Sequence, residues 1–229
     1  MGDASVAHVK TLLYAGATAG PLFMAAVLIE GATRPGYDSI RHPISSLALG
    51  DQGWTQTAVF LITGTLSLLL AAGLARGPGR RPRWAAVLIS LWAVGLLGTG
   101  VFVTDPVSGY PIGTPDIPPG TASGQLHNLF ALLGALAFVV ACVVLRNRGG
   151  RGWRIGSLLT GALFLVTLVL ASAGFGQADG LVAIGGLLDR IAVTAAWAWI
   201  SVLALRTVSE QNLLRSGQSA AGGAALTVV

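Results

Sequence analysis

Six apolar runs, each about the length a bilayer demands, dominate this chain. They cover roughly residues 11–30, 55–75, 84–103, 126–145, 155–174 and 184–205. A hydrocarbon core of about 30 Å takes roughly 20 apolar residues as a helix. The runs are continuous, so helices are expected and not the alternating strands of a membrane barrel, which are about 10 residues long. The fold class that follows is all-α, a polytopic six-transmembrane-helix bundle.

Composition agrees. Of the 229 residues, 53% are hydrophobic and only 10% charged, well under the roughly 25% charged residues of a soluble domain. The pI near 10.3 does not point to nucleic acid, because the basic residues sit in short clusters between apolar runs. They read as topological anchors that also meet membrane lipids. The one cysteine, Cys142, lies inside an apolar run and is expected to be a small core residue.

Charge distribution gives an orientation. Lys10, Arg76, Arg80, Arg81, Arg83, Arg146, Arg148, Arg151, Arg154, Arg206 and Arg215 all fall at one end of the spans, and only Arg34, Arg41 and Arg190 at the other. The positive-inside rule then places both termini in the cytoplasm and the protein in the inner (plasma) membrane. Acids do the reverse. Glu30, Asp38, Asp51, Asp105, Asp116, Asp179 and Asp189 gather at the non-cytoplasmic end, against Asp3 and Glu210 at the other. Trp54, Trp84 and Trp153 are placed as interfacial belt residues. The transmembrane domain is expected over 1–206. The Ser-, Gly- and Ala-rich segment 207–229 is expected to be a disordered cytoplasmic tail.

Pro21 falls near the middle of the first run. It has no N–H to give, which frees a carbonyl one turn earlier. Gly16 and Gly20 make a small-xxx-small face suited to helix packing. Residues 44–49 are expected to form a short helix at the membrane surface. The loop after the third run carries five prolines and no basic residue, and so is stiff.

Ionisable residues converge on one depth near the non-cytoplasmic ends: Glu30, Asp105, His127 and Asp189, with Arg190 beside the last. Charges at membrane depth either pair or face a watery cavity, and each is a functional hypothesis. Neighbours such as Asp189 and Arg190 project about 100° apart, so Arg190 is expected to reach a carboxylate on another helix, Glu30 or Asp105. The alternatives are a polar vestibule or a structural clamp. As a vestibule, Glu30, Asp105, His127 and Asp189 are the candidate catalytic groups, with Arg34, Tyr37, His42, Trp92, Phe102 and Arg190 lining a substrate pocket. No HxxxH spacing or other metal motif occurs, and no cofactor is implied. Ser45, Ser46, His42 and Asp38 lack the GxSxG elbow of a hydrolase.

Several strings together carry a family resemblance: Gly20-Pro21, Arg34-Pro35-Gly36-Tyr37-Asp38, Ile44-Ser45-Ser46-Leu47-Ala48-Leu49-Gly50, Gly53-Trp54, Phe102 through Asp105-Pro106, Gly109 and Pro111, Gly124-Gln125-Leu126-His127, and Gly186-Leu187-Leu188-Asp189-Arg190. The chain resembles the domain-of-unknown-function 998 family (DUF998) of prokaryotic membrane proteins up to about Leu205. Asp189 stands where an acidic–Arg pair is often Glu-Arg. The resemblance implies a six-helix bacterial membrane protein and brings no assigned reaction. The expected function is an extracytoplasmic-facing pocket that binds or acts on a lipid- or isoprenoid-like hydrophobic small molecule, with acid–base catalysis of the terpene-cyclase kind. A non-catalytic lipid-binding, sensing or accessory protein is the alternative, and a transporter is third, because the span centres are nearly free of charge.

Overall fold

The computed structural model describes residues 3–76 and 80–226. Residues 1, 2, 77–79 and 227–229, the last three in the expected tail, lie outside the described residues. The six apolar runs form six helices: α1 (Asp3–Thr33), α2 (Gly53–Ala75), α3 (Arg80–Val101), α4 (Ala122–Leu145), α5 (Arg151–Phe175) and α6 (Gly185–Leu226). Each contains a stretch long and apolar enough to cross a membrane. No strand forms among the described residues, only an isolated bridge between Val107 and Tyr110. α6 runs on past the last apolar run into the segment after residue 206.

Consecutive helices pack against each other and α6 returns to α1, closing a ring. Two of the three long-loop connections (α1–α2 and α3–α4) and the start of α6 meet at one end, where Arg41 Nη2 donates to Ser108 Oγ at 2.8 Å and the Gly186 N–H to the Arg41 carbonyl at 3.1 Å. We call this the loop end. The arginine-rich turns occupy the other.

Pro21 shapes the α1–α6 seam. It cannot donate to the Ala17 carbonyl four residues back. The Ser201 hydroxyl of α6 takes that place, donating to Ala17 O at 3.0 Å. Gly20 lets the helices approach, since a Cβ there would lie 2.9 Å from Trp197 Cβ. Gly16 serves a different neighbour: a Cβ would meet Leu70 of α2 at 2.3 Å. The two glycines thus pack against two helices, not one.

Down the middle runs a column of rings. His127 meets Phe60 edge-on, Phe60 meets Phe23, Phe23 meets Trp197, and Trp197 meets Trp92, with centroids 5.4 to 6.3 Å apart. Phe138 continues it from Trp92 to Trp199, which stacks on Trp153. Such pairs contribute roughly 0.5–1.5 kcal/mol beyond burial.

Two local expectations are corrected. Residues Ile44–Ala48 do form a short 3-10 helix, but Ile44, Ser46, Leu47 and Ala48 are buried within the bundle and not laid on a surface. Trp54 and Trp84 are exposed as belt residues should be. Trp153 is instead tucked inward, donating its indole N–H to the Leu145 carbonyl at 2.9 Å with Arg206 over its ring. Its stacking partner Trp199 supplies the inward pull. Cys142 is fully buried, as its apolar setting predicts.

Candidate functional site

The four ionisable groups are held by different partners. Glu30 pairs with Arg34 one turn later on the same chain segment, at 3.0 Å, and Arg34 also donates to Thr55 Oγ1 at 3.1 Å. This pair clips α1 to the start of α2.

Asp105 caps α4. Its Oδ2 accepts the Thr121 N–H at 3.0 Å and its Oδ1 the Thr121 hydroxyl at 2.6 Å. Thr121 in turn accepts the Gly124 N–H at 3.0 Å, the usual arrangement of an N-cap threonine. The carboxylate also suits the positive end of the helix dipole.

Asp189 is buried in α6 and accepts the Ile44 N–H at 2.9 Å. Arg190 does not reach a carboxylate, contrary to the sequence-based expectation. Its Nη1 donates to the carbonyls of His42 and Gly186, at 3.2 and 3.1 Å, and its Nη2 to the Tyr37 hydroxyl at 2.7 Å. The reason is steric access: Gly186 lets the α1–α2 loop lie directly on α6, where a Cβ would fall 2.4 Å from the His42 carbonyl. The loop therefore reaches the guanidinium before any carboxylate can. Tyr37 passes its own proton on to the Pro43 carbonyl at 2.9 Å. Burial, opposed in part by Arg190, pushes the Tyr37 phenol up to about 12.

His42, Tyr37 and Tyr110 form a triangle of rings, with His42 5.6 Å from Tyr37 and 5.2 Å from Tyr110 and the two tyrosines 5.3 Å apart. Its Nδ1 accepts the Asp38 N–H at 2.9 Å, so a proton on the neutral ring belongs to Nε2, which is buried without a full hydrogen bond. Burial, and then the charge of Arg41, lower its pKa. Burial likewise raises that of Tyr110. Ser46 Oγ is buried and makes no bond to His42, so no nucleophilic triad forms.

Below this loop assembly lies a cavity of about 430 Å³ to which all six helices contribute. That is within the roughly 300–1,000 Å³ of small-molecule sites. Its roof is Pro43, Ile44 and Ser45 with Thr104 through Val107. Its walls are largely apolar and include the rings of Phe23, Phe60, Trp92, Phe130, Phe164, Phe175 and Trp197. Trp197 lies twelve residues into α6, so the cavity reaches about 18 Å from the loop end toward the bilayer centre. Asn128, Ala131 and Leu132 of α4 and Ser172 of α5 line it while being exposed on the bundle's outer surface. These exposed lining residues all lie on α4 and α5.

Of the residues singled out from the sequence, Asp105, His127, Asp189 and Trp92 line this cavity. Glu30, Arg34, Tyr37, His42 and Arg190 do not; they tie down the loops. Phe102 stands one layer behind, stacked on Phe130 at 5.6 Å, with its carbonyl facing His127. His127 Nδ1 lies 2.8 Å from the Phe102 carbonyl and 3.1 Å from that of Thr99. Carbonyls only accept, so Nδ1 carries the proton and the neutral ring presents a bare Nε2. No hydrogen bond reaches Nε2 among the described residues. Sequence reasoning missed most of the aromatic wall. Its only signal was the recurrence of Phe and Trp within apolar runs, which ordinary core packing produces as well. Among the described residues, no three His, Cys, Asp or Glu side chains gather as a metal site would require.

A ring of six bilayer-length helices around a largely apolar cavity defines a multi-pass α-helical membrane protein. The chain belongs to the family described as "Protein of unknown function (DUF998)", whose model matches residues 17–206. Comparison with curated proteins and with solved structures gives no match.

Proposed function

We propose that this protein binds a lipid- or isoprenoid-like hydrophobic molecule, taken laterally from the bilayer into the cavity. The observation that carries this is the cavity's form: an apolar wall with several aromatic rings, a few polar groups near the loop end, and lining residues on α4 and α5 that are also exposed on helices long and apolar enough to cross a membrane, which supports sideways entry. By the positive-inside rule, the loop end faces away from the cytoplasm, so the ligand comes from the outer leaflet of the plasma membrane. The reading is of a binding, sensing or accessory protein. Acid–base catalysis of the terpene-cyclase kind is less favoured, because Asp105 and Asp189 are each engaged by backbone N–H groups of the loops they hold, and Glu30 stands outside the cavity beside Arg34.

The test is to purify the full chain in mild detergent and identify co-purifying lipids by native mass spectrometry. A Val193→Trp variant, which fills the cavity from α6, is run beside it. An apolar ligand retained by the parent and lost from a folded Val193→Trp variant is the expected result. Equal ligand content in both would overturn the assignment.

A further inference from the structure

Resting on that reading, the charges in the cavity lining bear on the ligand's head. We propose that the ligand is an apolar molecule carrying a protonated amine, held at the Asp189 carboxylate. Asp189 lines the cavity and is only 9% exposed. Its Oδ2 accepts the Ile44 N–H at 2.9 Å. Its Oδ1 accepts no hydrogen bond among the described residues yet keeps accessible surface, unlike the sealed indole nitrogens of Trp92 and Trp197. No cation pairs with it: the ion pairs among the described residues are Arg34 with Glu30 and Arg148 with Glu210. Arg190, its neighbour in sequence, turns its guanidinium to the His42 and Gly186 carbonyls and the Tyr37 hydroxyl.

A charge buried without a partner is costly, and a cation brought by the ligand removes that cost. The rest of the lining favours the same sign of ligand. Asp105 stands there too, in no ion pair, and no lysine or arginine lines the cavity. His127 adds an acceptor, since its Nδ1 faces the Thr99 and Phe102 carbonyls and leaves Nε2 bare. An anionic head would lie beside like charge with nothing to pair it, so phosphate-bearing lipids do not fit. A hydroxyl can donate to Asp189 but leaves its charge uncompensated. A metal ion asks for several protein ligands, and no three His, Cys, Asp or Glu side chains gather among the described residues. An alkyl or isoprenoid ammonium answers both parts of the site, with its nitrogen at the carboxylate and its tail among the apolar side chains of the wall. One contact suffices, from the ammonium N–H to Asp189 Oδ1. Asp105 acts through its field and need not touch the head.

The experiment uses the full chain purified in a nonionic detergent and four probes sharing one tail: farnesylamine, farnesol, farnesyl phosphate and farnesene. Binding at neutral pH is read by quenching of tryptophan fluorescence in competition with a brominated fatty alcohol. Farnesylamine is expected to bind at least about tenfold more tightly than the other three, a factor equivalent to about 1.4 kcal/mol. Asp189→Asn keeps an oxygen for the Ile44 N–H and deletes the charge. It should bring farnesylamine down to the farnesol level while leaving farnesol unchanged. If that variant does not fold, Val193→Lys supplies a cation from within the lining, one turn along α6 from Asp189. It should weaken farnesylamine at least about tenfold relative to the neutral Val193→Met, with farnesol alike in the two. Alcohol or phosphate binding as tightly as farnesylamine would overturn the ammonium head and leave the cavity reading standing. A full amine preference in Asp189→Asn, or in Val193→Lys where that is the variant read, would overturn it too. Failure of all four probes to bind would instead overturn the cavity reading itself, and the head with it.

Discussion

Asp189 and Arg190 are consecutive on α6, yet they grip opposite sides of one residue, Pro43. Asp189 Oδ2 accepts the N–H of Ile44 and Arg190 Nη1 donates to the carbonyl of His42. Their divergence on the helix, about 100° per residue, is what lets one pair of neighbours hold both flanks of a loop. Tyr37 completes the hold, placing its hydroxyl between Arg190 and the Pro43 carbonyl. The cavity roof includes Pro43, Ile44 and Ser45, so this grip sets the shape of the site, and Asp189 itself stands in its lining.

Arg190→Ala is accordingly expected to destabilise the fold by about 1.5–3 kcal/mol, the range for hydrogen bonds to a charged group. Arg190→Lys should recover little of this, because an ammonium cannot reproduce the planar fork that spans the His42 carbonyl and the Tyr37 hydroxyl. Thermal unfolding in detergent gives the comparison. A lysine variant as stable as the parent would show that charge alone, without the fork, holds the loop.

The seam between α1 and α6 makes a second prediction through a double-mutant cycle. Ser201→Ala removes the donor that serves the Ala17 carbonyl and is expected to cost about 0.5–1.5 kcal/mol. Pro21→Ala supplies the missing backbone N–H, so in that background Ser201→Ala should cost clearly less. Additive losses in the cycle would mean that the two residues are not coupled through the Ala17 carbonyl.

Acid sensitivity should trace to His42. Burial lowers its folded pKa below the ordinary 6.5, with Arg41 and Arg190 pushing the same way and Asp38 against. Tyr37 and Tyr110 pack on the ring as neutral groups. The unfolded chain then binds a proton more readily than the folded one. Stability from this group is complete above about pH 6.5 and falls as pH drops toward the lowered folded value. His42→Phe keeps the ring packing and strands the Asp38 N–H. It should therefore be less stable at neutral pH yet show a flatter decline below pH 6.5. An unchanged slope in the unfolding midpoint against pH would assign the acid response elsewhere.

The six spans were legible because a bilayer leaves a long apolar helix little alternative, and each run lies almost entirely within the observed helix it predicts. Pro21 was legible in the same way: a missing N–H has a fixed consequence four residues back. The convergence of polar groups was only half legible. Sequence places Glu30, Asp105, His127 and Asp189 at one depth, but depth does not give azimuth around a ring of six helices. Glu30 fell on the α1–α2 seam, while His127 and Asp189 fell on the cavity. Charge seeking charge predicts a carboxylate for Arg190, whereas Gly186 brings backbone carbonyls closer. Gly186 and Gly124 carry no side chain for a pattern to register, so the loop docking they permit leaves no mark in the sequence.

Gly124 offers the sharpest test of how the α3–α4 loop is fastened, because its sign should reverse with context. It lies in the first turn of α4, where a Cβ would fall 2.0 Å from Asp105 Oδ2. In the parent, Gly124→Ala must expel the carboxylate from the Thr121 N–H and hydroxyl that it accepts. The loss expected is that of a helix cap, about 0.5–2 kcal/mol. Asp105→Ala alone should cost a similar amount, for the same bonds are lost. In the Asp105→Ala background nothing remains to clash, and alanine is the better helix former by roughly 0.5–1 kcal/mol. There Gly124→Ala should become stabilising. Equilibrium unfolding of the two single variants and the double variant decides it. If Gly124→Ala destabilises both backgrounds equally, the glycine is required by something other than the aspartate, and the capping account of Asp105 fails with it.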